Sequence, residues 1–198
     1  MQQNLSHLIN WTLDATDGEI GTVEDFYFDD KSWAVRYLVV KTGGWLSGRK
    51  VLISPTVVIG KNWDLGLFPV SITKEQVRNS PDINTDKPVS RQHEADGITP
   101  VREDFHLRSA QQVGGYRIHA NDGDIGHVVD FIFDDQNWHI SHLLIDTHNW
   151  VGGEKVILAV HHIREIQWQN SKVVVDLSTD GIKNSFSLKK WTHIIDKA

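Results

Sequence analysis

The chain has 198 residues, a formal net charge of −6 and no cysteine. The acidic balance argues against a nucleic-acid binder, which needs a basic patch to neutralise phosphates. The lack of cysteine excludes disulfides, thiol nucleophiles, cysteine-ligated zinc and thiolate-held iron–sulfur clusters.

Residues 1–7 have neither the basic n-region nor the apolar h-region of a signal peptide. The longest apolar runs, such as residues 37–40, are far too short for a membrane span. The expectation is a soluble, cytoplasmic protein with no membrane span and no nucleic-acid partner.

The strongest signal is an internal repeat. Residues 17–30 read Asp-Gly-Glu-Ile-Gly-Thr-Val-Glu-Asp-Phe-Tyr-Phe-Asp-Asp. Residues 122–135 read Asp-Gly-Asp-Ile-Gly-His-Val-Val-Asp-Phe-Ile-Phe-Asp-Asp, at an offset of 105 (122 − 17). The offset holds without a gap through Trp33/Trp138, Leu38/Leu143, Thr42/Thr147, Trp45/Trp150, Gly48/Gly153 and Trp63/Trp168. It still holds at Asn79-Ser80 and Asn184-Ser185. Each copy therefore reads as one complete small domain.

Taken in chain order, Asp17-Gly18 is a turn dipeptide. A strand follows in which Ile20, Phe26 and Phe28 share a parity and face a core. Val23 lies on the other parity, so either that face is also covered or a bulge shifts the register. Residues 29–32 form a hairpin loop, and residues 33–40 return as the next strand. Short polar loops between successive strands imply an antiparallel meander. Residues 51–53 and 57–59 are further strands. Thr73-Lys74-Glu75-Gln76 fits a capping box, so a short helix follows the first copy.

The stretch from Asn79 to about Asp104 is rich in Pro, Asp, Asn and Ser, and reads as an extended linker. The second copy repeats the pattern, with a hairpin within residues 166–177 around residues 169–172 and a weaker helix start at Ser178. Leu188, Trp191, Ile194 and Ile195 are spaced for one face of a C-terminal helix. The expected domains are residues 1–80, a linker at 81–104, and residues 105–198.

Asp-Gly-x-Ile-Gly-x-Val-x-Asp-Phe, then Asp-Asp, Trp and the strand Arg36-Tyr37-Leu38-Val39-Val40, resembles the PRC-barrel family. Residues 50–55 (Lys-Val-Leu-Ile-Ser-Pro) fit the same pattern. The family includes the cytoplasmic barrel of the photosynthetic reaction centre H subunit and the C-terminal domain of a ribosome maturation factor. The resemblance implies a mainly β fold, with two tandem small antiparallel β-barrels and a short helix after each. It implies no common catalytic residues. The second copy departs at Ala159-Val160 for Ser54-Pro55, and at Ser141-His142 for Arg36-Tyr37.

Gly43-Gly44-Trp45-Leu46-Ser47-Gly48-Arg49-Lys50 invites comparison with a phosphate loop. That loop needs Gly-Lys-Ser/Thr opening a helix, whereas a β-type run follows Lys50. The glycines read as a turn between strands. Most of the eight Trp read as core, since one buried Trp removes about 150–250 Å² from water. Trp45 and Trp150 are the exceptions. They lie in Gly-rich loops, where an aromatic can anchor a partner, so Trp45, Gly48, Trp150 and Gly153 are the candidate binding residues.

Asp29-Asp30 and Asp134-Asp135 lack the rest of a calcium loop and read as turn caps. Of the 11 His, only His7 lies in the first copy. Neither His-Glu-x-x-His nor His-x-His occurs on a strand, so no metal ligands are assigned.

No motif specifies a reaction. The expected function is a non-catalytic binding or adaptor protein, with two linked modules that gain avidity at a protein partner. Two alternatives stay open. One is a metal- or pH-responsive protein using the His-rich second barrel. The other, by family analogy alone, is an accessory of photosynthetic electron transport. No cofactor is expected, and a homo-oligomer is left open.

Overall fold

The computed structural model describes residues 1–89, 105–147 and 154–188. In chain order the first strands are β1 (Gln2–Asn4), β2 (Thr12–Ala15), β3 (Gly18–Asp29), β4 (Val35–Thr42), β5 (Lys50–Ile53) and β6 (Leu67–Pro69). Helix α1 (Lys74–Arg78) and strand β7 (Leu107–Ser109) follow. Helix α2 (Ala110–Val113) leads into β8 (Arg117–Ala120), β9 (Gly123–Asp134), β10 (His139–Asp146) and β11 (Lys155–Ala159). The chain continues through β12 (Ile163–Gln167), β13 (Lys172–Val175), α3 (Thr179–Lys183) and β14 (Phe186–Ser187). The fold is mainly β, as the alternation of apolar residues predicts.

The chain forms two compact units. The first is Ser6–Ser109; the second joins Met1–Leu5 to the chain from Ala110 onward. The first sheet runs β5-β4-β3-β2-β6, and the second runs β12-β13-β8-β9-β10-β11-β14. Neighbouring strands are antiparallel except for β2 with β6 and β8 with β13, which are parallel. Successive strands thus form the expected antiparallel meander, and the two parallel pairs join strands distant in sequence. Four chain reversals separate the members of each such pair, so they point the same way.

β3 is buried on both faces, which answers the question that Val23 raises. Phe26 and Phe28 are fully buried, and so is Tyr27 between them. Leu38, paired with Phe26, and Ile53, paired with Leu38, are buried with them. The opposite face carries Tyr27, Val39, Leu52 and Leu107, with Ile83 and Tyr37 packed against them. Register shifts also occur, one of them between Val23 and Asp25. Such a bulge moves a side chain across the sheet.

Trp33 and Trp138 sit at φ 60° and 57°, a left-handed conformation uncommon for bulky residues. Packing holds them there. Trp33 stacks on Phe28 with ring centres 5.6 Å apart, and Trp138 packs on Phe133 at 5.4 Å. Both are nearly buried. The capping box is present: Gln76 N donates to Thr73 Oγ1 at 3.2 Å, and Thr73 N donates to Gln76 Oε1 at 2.9 Å. Ser178 caps α3 through Gly181 N at 3.0 Å.

Three expectations differ. Residues 57–59 do not form a strand; Pro55–Val57 is a 3-10 turn, begun where Ser54 Oγ accepts from Thr56 N. The first part of the expected linker packs on the first unit. Leu52 N donates to Pro81 O at 2.9 Å, Asp82 bridges Val51, and Val89 is buried. The division in space also falls away from residues 80 and 105, as the unit boundaries show. The rest of the linker, residues 90–104, and the C-terminal helix beyond Leu188 lie outside the described residues.

The unit boundaries reflect an exchange of strands. β7 pairs with β3 through Tyr27↔Ser109, Phe28↔Arg108 and Asp29↔Leu107. β1 pairs with β9 through Ile132↔Asn4, Phe133↔Gln3 and Asp134↔Gln2. Moved by the repeat offset, the two sets of pairs coincide. Each copy of the repeat thus supplies the short edge strand that completes the other copy's sheet.

Candidate functional site

The loop at residues 43–49 is closed by its own hydrogen bonds. Thr42 Oγ1 donates to Arg49 O at 2.8 Å, and Gly48 N donates to Gly43 O at 3.3 Å. Ser47 and Gly48 are both left-handed, at φ 56° and 68°, so the second of them is where glycine relieves strain. Arg49 ties the loop down, with Nε 3.2 Å from Asp82 Oδ2 and its terminal nitrogens donating to Arg78 O and Ser80 O. β5 follows rather than a helix, so no ring of helical N–H groups faces a phosphate.

Trp45 is half-buried in this loop. Its indole Nε1 donates to Ile20 O at 2.7 Å, and the Lys74 ammonium lies 5.7 Å from the ring centre. The ring is thus held in one orientation beside a cation. Trp150 and Gly153 lie outside the described residues. The base of their loop repeats the first, with Thr147 Oγ1 donating to Glu154 O at 2.7 Å.

The paired aspartates act on backbone and edge strands. Asp29 Oδ1 accepts from Lys31 N at 3.0 Å and from Ser32 N at 2.7 Å. Burial pushes its carboxyl up, but the Ser32 and Lys31 hydrogen bonds outweigh this and leave it below the usual range. Asp30 accepts from Arg108 Nε and lies 2.8 Å from His106 Nδ1. Deeper in the same sheet, the buried Asp25 accepts from the Ser109 hydroxyl. These carboxylates fasten β7.

A surface that the sequence reading missed lies at residues 59–66. Ile59 N donates to Pro69 O, while Asn62 and Leu67 exchange backbone hydrogen bonds, making a hairpin. Asn62 Oδ1 accepts from Leu65 N at 3.2 Å and shapes the tip. Leu65 is 72% exposed, Ile59 67% and Trp63 42%. Trp63 meets Trp11 edge to face, with ring centres 4.8 Å apart, and Trp11 packs on Phe68 at 4.7 Å. The exposed aromatic is therefore braced from below rather than free to turn. Sequence reasoning assigned Trp63 to the core; it is exposed.

The second unit builds the same hairpin, with Trp168 in the place of Trp63 but polar residues at two exposed apolar positions. Arg117 N donates to Ser171 O at 2.9 Å, matching Thr12 N to Gly66 O at 2.9 Å. Yet Arg164 stands for Ile59 and Asn170 for Leu65, both exposed. The hairpin geometry thus does not require apolar residues at those two positions.

Three histidines of the second unit, His119, His161 and His162, pair with acids or with each other. His119 contacts Asp124, which also receives Lys172 at 3.2 Å. The His119 hydrogen bond is the main reason that carboxyl lies below its usual range. His162 Nδ1 lies 2.9 Å from Asp176 Oδ1, and the His161 and His162 ring centres are 4.2 Å apart. His142, 2.9 Å from the Ser141 hydroxyl, is held below its ordinary pKa, first by burial and then by the charge of His161. Among the described residues, no group of three or more acidic or imidazole side chains is arranged to hold a metal. No helix among them is long and apolar enough to cross a membrane.

Residues 6–68 match the PRC-barrel domain family. The chain is also 31% identical over 98 residues to an uncharacterized protein of Deinococcus radiodurans. That match covers 47% of this chain and 35% of the relative, so the chain spans about a third of the relative's length.

Proposed function

Because residues 6–68 form a PRC-barrel domain, we propose that the chain is a non-catalytic binding module that engages a protein partner through its first unit. One observation carries the reading. The hairpin at residues 59–66 exposes Ile59, Trp63 and Leu65, while the matching hairpin of the second unit keeps the tryptophan as Trp168 but has Arg164 and Asn170 in place of Ile59 and Leu65. Exposed Ile59 and Leu65, which the fold does not need, flanking a Trp63 braced on Trp11, have the character of an interface hot spot. Trp45 and Gly48, with their counterparts Trp150 and Gly153, remain candidate accessory contacts.

The test is affinity capture from native lysate, comparing wild type with Ile59→Ser/Trp63→Ser/Leu65→Ser. The variant's fold is checked by circular dichroism. A partner retained by wild type and lost by the folded variant, then rebound in purified form at least tenfold more weakly by the variant, supports the proposal. Equal retention by both removes it.

A second reading, pH response, is favoured by His142. Its folded pKa is depressed, so the unfolded chain binds more protons as pH falls through about 6.5. The stability it contributes is present above that pH and lost below it, down to the folded pKa. Urea melts between pH 7.5 and 5.5 are expected to show the second unit of wild type losing more stability than His142→Gln. A wild-type-minus-variant difference that is flat with pH would contradict this.

A further inference from the structure

At one corner of the second unit, β10, the 3-10 turn Val160–His162 and the end of β13 bring together His142, His161, His162 and Asp176. The His161 and His162 ring centres are 4.2 Å apart, and His162 Nδ1 lies 2.9 Å from Asp176 Oδ1. His142 is half-buried and within reach of the His161 charge. The repeat places Tyr37, Thr56, Val57 and Ser71 at the same four positions of the first unit. The backbone there is the same. Pro55–Val57 is also a 3-10 turn, and Ser71 N donates to Val57 O at 2.8 Å, as Asp176 N donates to His162 O at 2.9 Å. The turn thus forms with side chains that carry no charge near neutral pH. The imidazoles are an addition to the fold rather than a requirement of it.

Hydrogen bonding fixes where two of the rings take a second proton. The Ser141 hydroxyl donates to Ile132 O at 3.2 Å, so His142 Nδ1, 2.9 Å from Ser141 Oγ, is a donor and Nε2 is the basic nitrogen. His162 Nδ1 donates to the Asp176 carboxylate, which leaves its Nε2 to titrate. Asp176 compensates one added charge, that of His162. The neighbours of His142 are Ile132 on β9, Ala159 on β11 and, through Ser141, the Gln2 amide on β1, all uncharged. The carboxylates of β9 lie opposite other residues, Asp130 at Leu144 and Asp134 at His139, and Lys155 of β11 lies opposite Asp146. On β12, Glu165 accepts from Gln167 Nε2 at 2.9 Å, and Arg164 adds a further positive charge.

We propose that the turn Val160–His162 is a proton-operated latch of the second unit, shut while His142, His161 and His162 are neutral and opened as they gain charge at mildly acidic pH. Protons beyond the first set like charges side by side, and their repulsion is least screened where a ring is partly buried, as His142 is. None of the three residues of the turn is fully buried, so it opens without unfolding the sheet. The sign agrees: burial and the His161 charge disfavour protonated His142 in the closed form, so acid favours the open one. The latch rests on the pH reading of His142 given above, and adds the turn as its seat and His161 and His162 as its other sensors.

The test is amide hydrogen exchange of the full chain by NMR at pH 7.5 and 5.5, with rates corrected for their intrinsic pH dependence. Ile163 N, which donates to Val160 O, and Asp176 N report on the turn. Val58 N and Ser71 N are their counterparts in the first unit. Protection of Ile163 and Asp176 is expected to fall at least tenfold at the lower pH, while Val58 and Ser71 change less than twofold. His161→Thr/His162→Val installs the first unit's residues and is expected to keep its protection at pH 5.5. His161→Gln/His162→Gln is expected to do the same, so the result does not hang on one variant's folding. An equal fall at the first-unit amides, or a fall that both variants retain, overturns the proposal. Constant protection at Ile163 and Asp176 in wild type also overturns it. If the urea melts of wild type and His142→Gln still diverge with pH in that case, the latch has failed and the pH reading has not.

Discussion

Leu107→Ala is expected to destabilise the first unit by about 2–5 kcal/mol, the range for truncating a fully buried leucine. The effect is expected in residues 6–89, although the mutated position belongs to the second copy of the repeat. Leu107 has no exposed surface, and it packs on Tyr27, Val39 and Leu52. The matching change, Gln2→Ala, removes a half-buried amide with one long hydrogen bond. It is expected to alter the second unit by no more than about 1 kcal/mol. Native-state hydrogen exchange reads the two sheets separately. Loss of protection in β3 and β4 amides after Leu107→Ala supports the exchanged strands, whereas loss confined to β9 and β10 refutes them.

The second large effect concerns two glycines within the long strands. A Cβ on Gly21 would lie 2.1 Å from Lys41 O, and one on Gly126 would lie 2.2 Å from Asp146 O. Gly126 is also left-handed, at φ 64°. Neither carbonyl can retreat without breaking the ladder between the paired strands. Gly21→Ala and Gly126→Ala are therefore each expected to cost roughly 3–5 kcal/mol, combining overpacking with backbone strain. Gly44 has nothing within 4 Å of its built Cβ. Gly44→Ala should stay within about 0.5 kcal/mol of wild type. Denaturant melts of the three variants check this. Equal midpoints for Gly44→Ala and Gly21→Ala would contradict the close approach.

These positions also show how far the sequence could be read. The Asp-Gly-x-Ile-Gly pattern and the Phe26/Phe28 spacing identified the long strand and its core face, because alternation is directly visible in residue order. The capping box was legible for the same reason, its four residues being contiguous. The strand exchange was not. An offset shows which residues are equivalent, but not which copy pairs with which. Gln2-Gln3-Asn4 is short and polar and carries no strand signal.

Residues 81–89 looked like linker because Pro, Asp and Asn dominate. Their role depends on Arg49, which binds Asp82 and the Ser80 carbonyl and is distant in sequence. Trp63 looked like core because Trp168 matches it. The useful signal was in its neighbours, since Ile59 and Leu65 have polar counterparts in Arg164 and Asn170. A difference between repeats at exposed positions marks function more directly than their agreement, which reflects the shared fold.

The most direct test of a partner surface on the first unit is site-specific photo-crosslinking in native lysate. A photoreactive residue is placed at Leu65 in one protein and at Asn170 in another. The repeat makes the second an internal control, because both positions sit at the tip of the same hairpin. The account predicts a discrete protein adduct from position 65 and none from position 170. Adducts of the same pattern and yield from both positions, or from position 170 alone, would contradict it.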